Sequence, residues 1–167
     1  MDSRMIRRLD TKSDESLLRE TYSWDEGTPE WYRDMSRVFG PDDVEDFLKM
    51  AEKNILVGIF DPEFIGLLIL ESTLPHCFEA HLCARRGARL GVLIEGTARV
   101  INDFLNMGMR EGFCWVASKN SAIKKLCEQI GMAHDGIVMY RGVYRGKLIK
   151  WQRYSVIPLA QEIEVAA

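Results

Sequence analysis

Arg86-Gly87-Ala88-Arg89-Leu90-Gly91 opens a long amphipathic run, and Asn120-Ser121-Ala122-Ile123-Lys124-Lys125-Leu126-Cys127-Glu128-Gln129-Ile130-Gly131-Met132 follows it after a short apolar stretch. The first six residues read as a compact turn punctuated by glycine. Beyond it Leu90, Leu93, Ile94, Thr97, Ala98, Ile101, Phe104, Leu105 and Gly108 trace one helical stripe. A helix that opens on glycines presents backbone N–H groups without intrahelical partners together with the positive end of its dipole, which suits a diphosphate. A second helix at the right distance walls in the rest of an extended ligand. The segment from Asn120 reads as that helix, with Ile123, Leu126, Cys127 and Ile130 on its apolar side and Gly131 to end it.

Upstream of the turn, Ile55 to Phe60 and Phe64 to Leu70 are strand-like apolar runs separated by Asp61-Pro62-Glu63, the signature of an antiparallel hairpin. Phe78 to Cys83 is a further short strand. Near the N-terminus, a strand at Met5 to Leu9 precedes a helix that Ser13 is placed to cap, with Asp14 and Glu15 in its first turn. A second helical region follows Thr28-Pro29. Pro41-Asp42-Asp43 starts another helix, whose Val44, Phe47, Leu48 and Ala51 fall at i, i+3, i+4 and i+7. Downstream, Phe113 to Ala117 reads as a strand and Ala122 to Ile130 as a short helix. Ile137 to Val143 and Leu148 to Val156 pair as a final hairpin over Tyr144-Arg145-Gly146-Lys147. Strands on either side of the long helix imply a parallel crossover inside an otherwise antiparallel sheet, an α+β or mixed α/β architecture in a single domain over residues 1–167.

With 47% apolar and 28% charged residues, the composition is that of a soluble globular chain, and no apolar run approaches the roughly 20 residues of a membrane span. The N-terminus lacks the apolar segment of a secretion signal, so a cytoplasmic or host-cytoplasmic location is expected. Cys77, Cys83, Cys114 and Cys127 lie in apolar patterns without C-x-x-C spacing, which points to reduced, buried thiols. His76, Cys77, His81 and Cys83 share one short extended segment with no second pair to complete a tetrahedron, so no metal site is expected. A net charge of −3 argues against a general nucleic-acid binder. The basic stretch Arg141, Arg145, Lys147, Lys150 and Arg153, with Tyr144, Trp151 and Tyr154 as stacking surfaces, keeps an anionic partner at the last hairpin as a minor alternative.

The order of elements resembles the GNAT superfamily, the Gcn5-related N-acetyltransferases, over nearly the whole chain and most strongly from Phe64 to Met132. In that family the turn after the fourth strand carries Arg or Gln, then a glycine three residues on, then Gly or Ala two further. Arg86 matches the first position and Gly91 the last, whereas Arg89 stands where the middle glycine is usual. Arg89 either blocks the cofactor's approach or reaches a phosphate with its guanidinium. Asn120, Leu126, Glu128, Gly131 and Met132 match the family's second motif, with Cys127 in place of the tyrosine that protonates the departing CoA thiolate. In its compact size the chain also resembles phage-encoded GNAT-like proteins that serve as virion components.

The resemblance implies acetyl-CoA as cofactor, held by the amides of Arg86, Gly87, Ala88, Arg89, Leu90 and Gly91, by the backbone at Leu82 and Cys83, and by Asn120. It implies direct acetyl transfer to a primary amine of a small molecule or a protein. Alternation along Phe78 to Cys83 puts Glu79, His81 and Cys83 on one face, making Glu79 or His81 the general base. Histidine has the more suitable ordinary pKa, about 6.5, whereas glutamate needs burial to raise it. Cys127 or Tyr140 would serve as general acid. Trp24, Trp31, Tyr32 and Tyr144 would line the acceptor pocket. The alternative function is a GNAT-like scaffold without chemistry, an interaction or virion assembly module, and the edge of the final hairpin is where a homodimer or larger assembly would form.

Overall fold

Residues 55–70 are apolar at nearly every position, and a strand of that kind needs cover on both faces of its sheet. The computed structural model, which describes residues 5–24 and 43–158, supplies it. The elements run β1 (Ile6–Leu9), α1 (Glu15–Ser23), α2 (Val44–Ala51), β2 (Ile55–Phe60), β3 (Phe64–Leu74), β4 (Cys77–Ala84), α3 (Leu90–Asn106), β5 (Glu111–Ala117), α4 (Ser121–Gln129), β6 (Ala133–Tyr144) and β7 (Lys147–Val156). They form one seven-stranded mixed sheet in the order β1-β2-β3-β4-β5-β7-β6. On one face Val57, Leu68, Leu70, Phe78 and Ala80 pack against Val100, Ile101 and Leu105 of α3 and Leu126 and Cys127 of α4. On the other, Leu56, Leu67 and Ile69 pack against Leu18 of α1 and Phe47 and Ala51 of α2.

The ends of the elements show how the sequence sets them. Asp43 caps α2 by accepting a hydrogen bond from the Asp46 amide at 2.8 Å, and Glu45 and Asp46 add charge favourable to the dipole. Pro41 and Asp42, expected to begin that helix, lie outside the described residues, as does the helical region expected after Thr28-Pro29. Before α1 the expected cap is displaced by one residue. Asp14 occupies the cap position, and its carboxylate accepts from the Arg7 guanidinium at 2.8 and 3.0 Å and from the Asp10 amide at 2.9 Å, while Ser13 bonds Asp10 instead. The Arg7 pair, then the Asp10 amide, holds the Asp14 carboxyl below the usual range.

β4 and β5 are the only parallel neighbours among the described residues, joined by the α3 crossover. At their paired end Phe78 lies opposite Gly112, and a Cβ on Gly112 would come within 2.5 Å of the Phe78 ring. Only glycine lets that ring lie across the strand, where it also meets Phe104 at 5.5 Å between centroids. The last hairpin closes through Arg145 and Gly146, both at positive φ (49° and 74°), the backbone of a two-residue turn that matches strand twist. Trp151 and Tyr154 are buried, so they are core side chains rather than the stacking surfaces expected of a nucleic-acid site.

Candidate active site

β4 keeps its pairing with β3 as far as Gly66↔Ala84, but its pairing with β5 covers only Cys77↔Glu111, Phe78↔Gly112 and Glu79↔Phe113. β5 meanwhile stays paired with β7 out to Ala117↔Trp151. Past Glu79, therefore, the two strands part, and the β4 edge carrying Leu82 and Cys83 faces β5 without a ladder between them.

The turn leaving β4 lies at the open end of that fork. The Arg85 amide bonds the Ile65 carbonyl at 2.9 Å and the Ala88 amide bonds the Arg85 carbonyl at 3.1 Å, which closes the turn around Gly87 at φ 80°. Among the described residues, the amides of Arg86, Gly87, Arg89, Leu90 and Gly91 give no hydrogen bond to a backbone carbonyl. Arg89 occupies the cap position of α3 without a side-chain cap, and the first turn of α3 holds no acid. An added Cβ at Gly87 or at Gly91 would meet nothing within 4 Å, so the space beside the turn is open at those two positions. Such an arrangement fits an anionic group.

Arg89 does not plug this space. Its Nε and Nη2 both reach the Asp61 carboxylate in the β2–β3 turn, Nη2 at 2.6 Å from Oδ1. Arg85 is drawn to the same turn, its Nη1 3.0 Å from Glu63 Oε2. Arg86 is exposed and forms no ion pair among the described residues.

Glu79, His81 and Cys83 share the face covered by α1 and α2, as alternation predicts, with Cys83 packed against that cluster. Sequence reasoning missed a fourth member. Glu71 of β3 lies opposite Glu79 in register, and His81 Nε2 is 3.5 Å from Glu79 Oε1 and 3.7 Å from Glu71 Oε2. Burial pushes the Glu79 carboxyl up; His81 and Arg141 oppose the shift and Glu71 adds to it. A carboxylate of raised pKa beside the fork is a stronger proton acceptor than an ordinary surface glutamate.

The other expected residues do not converge on this face. Cys127 is 1% exposed and packs inside the core beside α3, with its sulfur 3.5 Å from that of Cys114, which in turn lies 3.8 Å from the sulfur of Met132. The bond to Cys127 and burial push the Cys114 thiol well up, and the same bond draws Cys127 down. Asn120 spends its side-chain oxygen on capping α4, accepting from the Ile123 amide at 3.2 Å. Tyr140 is 61% exposed on the edge strand β6. Its register partner Lys150 lies two residues from Gln152, which pairs with the core residue Val116, so Tyr140 projects to the α4 side. Three strand spacings separate β6 from β4, roughly 14 Å, so Tyr140 stands apart from Glu79 and His81. Trp24 packs its ring on Phe64, and Trp31 and Tyr32 lie outside the described residues.

No family profile matches the sequence, and no curated protein matches it. Solved structures do match in shape. An N-acetyltransferase from Staphylococcus aureus Mu50 superposes with a TM-score of 0.69 at 16% identity, covering 92% of this chain and 97% of its own. A GNAT-family acetyltransferase from Streptococcus pneumoniae gives 0.69 at 16% identity, covering 92% and 98%. The putative acetyltransferase yncA from Salmonella typhimurium, solved with its cofactor acetyl-CoA, gives 0.66 at 15% identity and covers 95% of each chain. The fold is that of the GNAT acetyltransferases, from the first strand to the final hairpin. At these identities the likeness extends to architecture, and the chemistry has to be argued from the residues of this chain.

Proposed function

We propose that the protein is an acetyl-CoA-dependent N-acetyltransferase acting on a primary amine. The observation that carries it is the combination, along one fork between β4 and β5, of a parallel pair that parts after Glu79, a half-buried glutamate of raised pKa at the closed end, and a helix start with amides lacking backbone acceptors at the open end. Acetyl-CoA fits this arrangement, and when bound it supplies an acetyl group activated as a thioester. The amides of Arg86, Gly87, Leu90 and Gly91, with the free Arg86 guanidinium, would hold its diphosphate. The β4 edge at Leu82 and Cys83 would hold its pantetheine arm.

Glu79 takes the proton that an incoming ammonium must lose before its nitrogen can attack. His81 and Glu71 flank it on the same face, and the two carboxylates favour a cationic acceptor. Cys127 is not assigned as the acid, because its thiol is enclosed and bonded to Cys114; the departing sulfur takes its proton from solvent. No helix among the described residues is long and apolar enough to cross a membrane, and four free thiols fit a reducing cytoplasm.

The test is a melting scan followed by turnover. Acetyl-CoA at about 100 times its dissociation constant should stabilise the fold by roughly 2.7 kcal/mol. Release of free CoA thiol with a panel of primary amines should depend on Glu79. No thermal shift with millimolar acetyl-CoA or CoA would end the proposal. The burial of Cys127 favours one second reading, a GNAT-like scaffold without chemistry that assembles through the long β6 edge, where Tyr140 and Val143 are exposed. CoA binding without turnover across the panel, together with a concentration-dependent oligomer, would select it.

A further inference from the structure

The β2–β3 turn is short and rigid, closed by the Asp61 amide bonding the Glu63 carbonyl at 2.7 Å across Pro62. Both of its carboxylates face the turn between β4 and α3. Asp61 takes the Arg89 guanidinium as a fork, and Glu63 takes that of Arg85. Only 18% of the Asp61 side chain is exposed against 72% for Arg89, so the carboxylate is enclosed in its turn while the arginine lies toward solvent. Arg89 begins α3, next to amides that have no acceptor, and its long side chain has the reach to turn either way. A guanidinium matches a phosphate in the same two-point geometry as it matches a carboxylate.

Resting on the proposed cofactor reading, we propose that Asp61 and an incoming diphosphate compete for the Arg89 guanidinium, so that the Asp61–Arg89 pair sets the affinity of the cradle for the anionic end of its ligand. In the free protein Asp61 keeps the guanidinium out of the cradle and leaves the amides accessible. Removing the carboxylate releases a cation beside the diphosphate site and strengthens binding there, without touching the part of the pocket that holds an uncharged arm.

Calorimetric titration with CoA, and separately with pantetheine, which lacks the diphosphate, tests this on the full chain. Asp61→Asn should tighten CoA roughly three- to tenfold at low ionic strength, lose most of that gain at high salt, and leave pantetheine unchanged. In an Arg89→Met background the same Asp61→Asn change should have less than about a twofold effect, because the competed-for group is gone. Glu63→Gln, which removes a neighbouring charge without freeing Arg89, is the control and should tighten CoA less than Asp61→Asn does. A melting curve for each variant confirms that the fold is intact. Unchanged or weaker CoA binding by Asp61→Asn overturns the inference, as does an equal gain in Glu63→Gln or a gain that persists in the Arg89→Met background. Wild-type protein that binds no CoA overturns the cofactor reading itself, a result distinguishable from failure of the Asp61–Arg89 competition alone.

Discussion

The two sides of β4 are built to opposite rules. Toward β3 the strand is paired along its whole length, the flanking helix α2 is capped by Asp43, and the Asp14 carboxylate before α1 is saturated with donors. Toward β5 the ladder stops after Glu79, the next helix starts without a side-chain cap, and its first amides give no hydrogen bond to a backbone carbonyl. One side spends its backbone groups on the sheet; past Glu79 the other does not. Substitutions on the closed side should therefore cost stability and spare binding, and those on the open side should do the reverse.

The sharpest test of the open side is Glu79→Gln. Turnover should fall about a thousandfold, while the melting temperature rises by about 2 °C, because a neutral amide is cheaper to bury than a carboxylate whose pKa burial has raised. The sign follows from the linkage: with the folded pKa above the unfolded one, ionised Glu79 destabilises the fold at neutral pH, and the penalty fades as pH falls through the folded value. On the closed side Leu18, fully buried, should cost about 3 kcal/mol as Leu18→Ala in a denaturant titration, with CoA affinity in the folded protein unchanged. Arg89→Asp would make the start of α3 resemble that of α2. It should cap the helix, a gain of about 1 kcal/mol that offsets the loss of the Asp61 pair, and weaken CoA about a hundredfold in a direct binding measurement. An unchanged affinity would break the contrast.

The smallest effect separates two neighbours on the same face. Glu71 contributes to the raised pKa of Glu79, so Glu71→Gln should move the acid limb of the kcat/KM profile to lower pH by less than about one unit. If the limb stays where it is, Glu79 is not the group that the profile reports.

Much of this contrast is legible in the sequence. The apolar runs at 55–60 and 64–70, the helical stripe beyond the glycine turn and the hairpin over Arg145-Gly146 all follow from periodicity and turn chemistry, and the elements form within a few residues of their expected bounds. The exceptions have physical causes. β3 continues to Leu74 because Glu71 and Ser72 pair with β4, a polar extension that an apolar-run criterion stops short of. Glu71 was missed for the same reason, since its nearness to His81 is a matter of strand register. Leu90 belongs to the stripe by spacing yet is exposed, because the helix has barely begun to approach the sheet there. Neither the Asp61 partner of Arg89 nor the Cys114 partner of Cys127 has a local signal, as each lies on a different element. The face position of Glu79, His81 and Cys83 could be read from alternation alone.

Phe78 anchors the closed end of the fork. Its ring, seated over Gly112 one rung before the last paired residues and against Phe104, ties both strands to the core just before they part. The root of the opening is thus held by an aromatic group on the opposite face from Glu79 and His81. A side chain at 112 would have no room beside that ring, so drift at this one core contact would loosen the junction while every residue along the rim stayed the same.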